Sequence, residues 1–442
     1  MYEFVKKQDK DIYNMLLEEE ERQAEGLELI PSENIVSQAV REAVGSCLTN
    51  KYSEGYPHAR YYGGNEVIDK VEDIARERAK KIFGVPYVNV QPYSGSPANL
   101  AVYLATCSPG DTVMGQLLTA GGHLTHGWKA SATSIFYNAV QYGVKPDGYL
   151  DLKEIARLAK EHKPKLIWVG ATAYVREFPF KELAKIADSV GAYLAADIAH
   201  IAGLVVAGAH QSPVPYAHIV TTTTHKTLRG PRGGMIMVTK KGLAKDPELG
   251  AKIDRAIFPN LQGGPHNHTT AGIAVALKEA GTPAFRAYGK QIVKNAKTLG
   301  ETLVREGVEI VSGGTDNHMV LVKCGAGRGA IVEIALDAIG LTTNKNTIPD
   351  EPSSPFYPSG IRIGTPSVTT RRMKEREMKL IGKWIAEVMR LTKKEELPTD
   401  KSARKAYLAG FKKRAHADPA LAKLHKEVKA LCKKFPIPET FI

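Results

Sequence analysis

A lysine that ends an apolar, β-branched run can be a buried amine of lowered pKa, the form that attacks a carbonyl and holds it as a Schiff base. Lys226 is placed in this way, in HIVTTTTHKTLRGPRGG. By residue type alone a solvated loop lysine is the commoner reading, because lysines are mostly exposed. Its companions shift the balance. Asp197 closes the run AYLAAD twenty-nine residues earlier, and a carboxylate in so apolar a setting needs a cation or hydrogen bonds. A protonated pyridine nitrogen is such a cation. Ser94-Gly95-Ser96 follows YVNVQPY and opens a helix, so hydroxyls, backbone N–H groups and a helix N-terminus converge where a phosphate can sit. Taken alone, such a Ser-Gly turn is equally a helix cap. Arg362 stands between glycines in SGIRIG, uncrowded enough to grip a carboxylate with both arms; its plain reading is a surface strand arginine. A phosphate seat, a pyridinium partner, a Schiff-base lysine and a carboxylate clamp together describe pyridoxal phosphate holding an amino acid.

These residues need a scaffold that brings strand ends together. Short β-branched runs at 87–90, 112–114, 165–170, 192–197, 218–224 and 234–238 alternate with amphipathic stretches at 96–107, 151–160 and 180–190. That alternation predicts an α/β fold, a mostly parallel sheet with helices on both faces. Ligands of such sheets bind at the carboxyl ends of strands, which directs attention to Ser94–Ser96, Asp197–His200 and His225–Lys226. Before the sheet lie a helical arm within 1–30, a turn-rich loop at 48–65 carrying Tyr52, Tyr56, Tyr61 and Tyr62, and a helix at 66–83. A large domain is expected over 31–280 and a smaller α+β domain over 281–392, with strands at 319–323 and 361–363 and helices at 330–339 and 370–389. A basic extension at 393–442 carries helices at 402–411 and 419–433.

Composition narrows the classes. Of 442 residues 43% are hydrophobic, and the 40 Gly and 25 Pro follow no period, which excludes disordered and collagen-like chains. The four cysteines are far apart, with no C-x-x-C pair, so a zinc knuckle or a disulfide framework is not expected. The N-terminus lacks an apolar signal core, and the longest apolar stretch, 192–209, is interrupted by Asp197 and His200. A cytoplasmic protein without a membrane partner is therefore expected. The net charge is +13, but residues 390–434 hold fourteen Lys or Arg against five Asp or Glu, with Tyr407 and Phe411 as their only aromatics. So few stacking groups argue against a specific nucleic-acid reader, and removing the chain after about Lys393 is expected to reduce nonspecific polyanion retention more than catalysis. The pairs His123-x-x-His126 and His266-x-His268 lack nearby Cys or acidic ligands in sequence, so no metal site is expected. Gly325-x-Gly327-x-x-Ala330 reads as a turn before a helix rather than a dinucleotide site, since no acidic strand end follows.

The ordered set LELIPSENIVS, LTNKYSEGYPHARYYGG, VQPYSGSPAN, GGHLTHG, DIAHIAGL, VTTTTHKTLRGPRGG, QGGP, VSGGTDNH and TNKNTIP followed by SGIRIGTP resembles the serine hydroxymethyltransferase family from about residue 10 to 390. The resemblance implies a fold-type I pyridoxal phosphate enzyme that moves the hydroxymethyl carbon of serine to a tetrahydropterin, leaving glycine. It implies that Lys226 carries the cofactor covalently, with Thr223 and His225 beside it. Asp197 would pair with the pyridine nitrogen, His123 stack on the ring, His200 and Thr172 approach its hydroxyl side, and Ser94, Gly95 and Ser96 hold the phosphate. Arg362, Ser32 and Tyr62 would grip the substrate carboxylate, and Glu54 would transfer a proton. Tyr52, Gly263 and Gly264 would reach in from the second subunit of a homodimer with shared sites. Leu118, Gly122 and Asn346 would contact the pterin, either tetrahydrofolate or tetrahydromethanopterin. A β-hydroxy amino acid aldolase shares the lysine, aspartate and arginine but needs no pterin; Glu54 and LLTAGGH favour transfer. The family's usual Ser is Thr172 here, and its SGSQAN is SGSPAN, with Pro97 tolerated in a first helical turn.

Overall fold

The computed structural model describes residues 2–438 and 440. Its central sheet has seven strands: β1 Tyr87–Asn89, β2 Thr112–Gln116, β3 Asn138–Tyr142, β4 Leu166–Val169, β5 Tyr193–Asp197, β6 Ile219–Thr223 and β7 Gly234–Val238. They lie in the order β1-β7-β6-β5-β4-β2-β3. Neighbours from β6 through β3 run parallel, and β7 is antiparallel to both β6 and β1. Strands β4, β6 and β7 are buried along their whole length, as a sheet covered on both faces requires. Successive residues feed opposite layers: Ile167 and Val169 pack with Phe180 and Leu183, whereas Leu166 and Trp168 pack with Tyr103. Strand β3 has no counterpart among the expected runs. It is an edge strand, partly exposed over most of its length, and its Asn138 and Gln141 break the apolar signal.

A second sheet is antiparallel, β8 Met319–Lys323, β9 Asn344–Asn346 and β10 Gly360–Gly364, in the order β8-β10-β9. Its register sets Leu321 and Asn344 on either side of Arg362. The long helix Pro283–Arg305 serves both cores, with Phe285 and Ile292 in the first and Leu299 and Leu303 in the second. The helix expected at 370–389 is two: Pro366–Thr370 and Glu375–Leu391, separated by Arg372 in the left-handed region at φ 66°. Buried Arg371 donates there to the carbonyls of Gln23, Ala24, Gly26, Cys432 and Phe435. The Glu377 carboxylate accepts from Lys374 N–H and starts the second helix.

The basic extension is not a free tail. Its helices Arg404–Ala417 and Pro419–Lys434 bury Phe411, Leu421, Leu424, Val428 and Leu431 in the second core. Trp384 Nε1 donates to Glu427, and Lys429 pairs with Glu25 of the N-terminal helix at 2.6 Å. Five large side chains at ~1.5–3 kcal/mol each rival the ~5–15 kcal/mol that holds a typical domain together. Deleting 393–442 is therefore expected to abolish cooperative folding, not merely polyanion affinity. A truncated chain that melts at the full-length temperature would contradict this.

Candidate active site

Strands β5 and β6 end side by side, with Asp197 opposite Thr221, and the chain leaves β6 into the turn that carries Lys226. Lys226 Nζ donates to Thr223 Oγ1 at 3.1 Å, and Asn34 Nδ2 holds the Lys226 carbonyl at 3.0 Å. Gly95, His123, Thr172, Asp197, His200, Thr223 and Lys226 line one small cavity at these strand ends. Burial lowers the Lys226 ammonium to about 8, helped by Arg362 and Arg232 and opposed by Asp197. Burial likewise lowers His123, to about 4, and His225, to about 3.

Asp197 is held from three sides. Its Oδ2 accepts from Asn99 Nδ2 at 2.9 Å and faces His126 Nε2 at 3.2 Å, while Oδ1 accepts from Ala199 N–H at 3.0 Å. Burial alone would raise this carboxyl, but His126, His123 and Asn99 outweigh it and keep it below the usual range. Asn99 is itself fixed by Thr221 Oγ1 at 2.7 Å, and the His126 ring stacks on Trp168. Neither Asn99 nor His126 was expected as a partner of the aspartate. The available signals were the Asn of SGSPAN, just past the first turn of the helix Gly95–Thr106, and the second His of GGHLTHG. His123, His126 and Asp197 also form the only group with three potential metal donors among the described residues, within 4.8 Å. Two of those donor atoms already face each other across the His126–Asp197 contact.

Ser94 precedes the helix Gly95–Thr106 without spending its hydroxyl on a cap bond. A Cβ at Gly95 would stand 2.8 Å from Thr223 Cγ2, so only glycine lets the helix start come this close to β6. Ser96, next in the helix, is exposed.

Arg362 lies in mid-β10, buried, with Nε donating to Asn344 Oδ1 at 3.1 Å and Nη1 donating to the Thr172 carbonyl. Both acceptors are neutral, no carboxylate pairs with it among the described residues, and burial lowers the guanidinium to about 10. Leu118, Gly122 and Asn346 line a second cavity of about 220 Å³ together with Thr172 and Arg362. The Thr172 hydroxyl donates to the Gly122 carbonyl at 2.9 Å, and Thr172 lines both cavities. Ser32 belongs to the segment tied to the end of β10 through Gly364 N–H and the Leu29 carbonyl.

The remaining expected residues form a separate group. The Tyr52 and Tyr62 rings meet edge to face at 5.3 Å, a Cβ at Gly264 would touch the Tyr52 ring, and one at Gly263 would stand 3.2 Å from Glu54 Oε1. None of Tyr52, Glu54, Tyr62, Gly263 and Gly264 lines the Lys226 cavity. Tyr52 is 59% exposed.

The Lys226 cavity suits pyridoxal phosphate by its own chemistry. It offers an amine of lowered pKa and a buried ionised carboxylate. On its wall the buried His200 Nε2 has no hydrogen-bond partner among the described residues, and the glycine-cleared helix start at Gly95 lines it too.

The sequence pattern of serine hydroxymethyltransferase matches residues 5–385. The chain belongs to this family. The serine hydroxymethyltransferases of Acidothermus cellulolyticus and Sorangium cellulosum are each 52% identical to it over 433 residues, which is 97% of this chain and 96% and 95% of theirs. As a serine hydroxymethyltransferase-family member the chain is a transferase of the fold-type I pyridoxal phosphate class, interconverting serine and glycine with transfer of one carbon to a reduced pterin. The mostly parallel central sheet is the α/β architecture expected of that class. No described helix is long and apolar enough to cross a membrane.

Proposed function

We propose that Lys226 holds pyridoxal phosphate covalently through Nζ, that Arg362 takes the carboxylate of serine or glycine, and that the cavity at Leu118, Gly122 and Asn346 takes the pterin. Arg362 carries this reading. A guanidinium buried in mid-sheet with only neutral acceptors is costly until an anion arrives, and it stands on the wall of the pterin cavity while bonding a residue of the lysine cavity. Bound pyridoxal phosphate supplies an electron sink conjugated to the substrate nitrogen. With the cofactor bound, Asp197 would offer its negative charge to the pyridine nitrogen, and His123, Thr172 and His200, which line the same cavity, would hold the ring. Ser94, Gly95 and Ser96 present the helix start to the phosphate. Arg362, with Ser32 and Tyr62, would hold the substrate carboxylate and limit rotation of the substrate, so that the bond to be broken can align with the cofactor's electron sink. Glu54 gives and takes the proton of the transferred group. The pterin is tetrahydrofolate or tetrahydromethanopterin, and assaying serine cleavage with each and with neither decides. Glycine release that depends on one of them is expected; equal release with none would mean an aldolase.

The lowered pKa of Lys226 has a kinetic consequence. Only the neutral amine attacks an aldehyde, so cofactor capture by the cofactor-free protein is expected to rise with pH and level off just above 8. A rise that continues toward 10.5 would show an ordinary, solvated lysine.

The group at Tyr52, Glu54, Tyr62, Gly263 and Gly264 fits a homodimer in which each copy completes the other's site. Exposed Tyr61 meets the Tyr62 ring edge to face and extends its apolar surface. Glu54→Gln is expected to keep the cofactor yet lose ~10²- to 10⁴-fold in transfer, the usual worth of a positioned acid. Mixing inactive Lys226→Ala with inactive Glu54→Ala should return about 25% of wild-type activity after subunit exchange, because random pairing makes half the dimers mixed, each with one intact site. No recovery after demonstrated exchange would place both residues in one subunit's site. The four unbridged cysteines support a reducing compartment, the cytoplasm.

A further inference from the structure

The segment VSGGTDNH, 311–318, adds no group to the Lys226 cavity, yet it is bonded firmly to the stretch that follows β4. Thr315 Oγ1 and Asp316 N–H both donate to the Val175 carbonyl, Asn317 Nδ2 donates to the Tyr174 carbonyl at 2.9 Å, and Arg176 pairs with Asp316 at 2.9 Å. The consequence is the placement of its last residue. The fully buried His318 ring lies against His200, Nε2 to Nδ1 at 3.3 Å, with the ring planes 29° apart. His200 is anchored through its own carbonyl, which accepts from Thr227 Oγ1 at 2.9 Å, and its ring borders the cavity.

Burial keeps both rings neutral, with the Lys226 and Arg362 charges adding to it. Two neutral imidazoles in this contact share a single hydrogen, and the surroundings of their outer nitrogens decide which ring donates it. The outer nitrogens, His318 Nδ1 and His200 Nε2, have no partner among the described residues. If His200 donated, His318 would carry its own hydrogen on Nδ1, a buried N–H without an acceptor and lining neither cavity of the site. If His318 donates, its Nδ1 keeps a bare lone pair, the less costly group to leave unpaired in an interior, and the outer N–H passes to His200, whose ring borders the cavity where water or a bound acceptor can meet it. His200 then bears its hydrogen on Nε2.

We propose that His318 is a positioning residue that locks His200 in the Nε2–H tautomer, so that His200 presents a hydrogen-bond donor to the phenolate oxygen of the cofactor. The acceptor's identity rests on the cofactor reading above; the tautomer does not.

The test uses the full-length protein with its 13 histidines labelled with ¹⁵N, its His200 signals identified as those lost in His200→Asn. In the cofactor-free protein His200 should show a protonated Nε2 and a bare Nδ1, and His318 the same. A protonated His200 Nδ1 would overturn the proposal. His318→Gln, which keeps a donor near the Nε2 position, should preserve the His200 pattern and the pH midpoint of the bound cofactor's absorption. His318→Leu should let His200 exchange between tautomers, move that midpoint, and raise the half-saturating cofactor concentration by about tenfold, the worth of one hydrogen bond. Unchanged His200 signals in His318→Leu would also overturn it. Should that variant not fold, the wild-type and His318→Gln spectra decide. A protein that takes up no pyridoxal phosphate would sink the cofactor reading, while the spectra of the cofactor-free protein still decide the tautomer.

Discussion

Replacing Lys226 with Ala is expected to lower serine turnover by at least ~10⁴-fold. A positioned proton-transfer group alone contributes ~10² to 10⁴, and here the covalent hold on the cofactor is lost as well. The fold should survive, because the Lys226 ammonium makes one hydrogen bond, to Thr223, and the turn around it is held by backbone bonds such as Gly230 N–H to the Thr224 carbonyl. The measurement is single-turnover serine cleavage alongside the melting temperature. A variant that folds and turns over at the wild-type rate would remove Lys226 from the chemistry. Loss of activity together with loss of folding would be answered by Lys226→Gln, which keeps a polar tip for Thr223.

The second large effect falls on substrate binding. Arg362→Ala should weaken serine and glycine by ~3–5 kcal/mol, a factor of about 10² to 10⁴, since it strips a desolvated charge from one side of an ion pair. Cofactor uptake should persist, because Arg362 does not line the Lys226 cavity. Arg362→Lys should recover little: a single ammonium cannot keep the Asn344 and Thr172 contacts and also grip a carboxylate with two parallel bonds. Unchanged amino-acid affinity in Arg362→Ala, read by titration into the cofactor-loaded protein, would make Arg362 a structural strand residue.

Much of this was legible in the chain. Strands β4 and β6 announce themselves because they are buried along their whole length and read as short runs rich in β-branched residues, and β5 because its Leu194-Ala195-Ala196 centre is buried and apolar. Asp197 and Lys226 follow from the rule that α/β ligands sit at strand ends, and the structure places both on one cavity. The rest depends on contacts made across long stretches of chain. Edge strand β3 hides because half-exposed strands mix polar and apolar residues. The break at Arg372 arises from carbonyls of the N-terminal helix and the C-terminal extension converging on Arg371, which no local periodicity records. The His200–His318 contact joins residues 118 positions apart. The charge of the extension was plain in sequence, but its apolar face, spaced Leu421, Leu424, Val428 and Leu431, was masked by the lysines between. That face makes the extension part of a core.

The central claim is that Lys226, of all the lysines, carries the cofactor, and chemical trapping tests it most directly. The protein is loaded with pyridoxal phosphate, reduced with borohydride to make any lysine attachment permanent, digested, and its peptides weighed. The expected result is one pyridoxyl-phosphate mass increment on the peptide that contains TTTTHK, at Lys226, at close to one per chain. An increment spread over several surface lysines, or none at Lys226 in a protein that has bound the cofactor, would contradict the account.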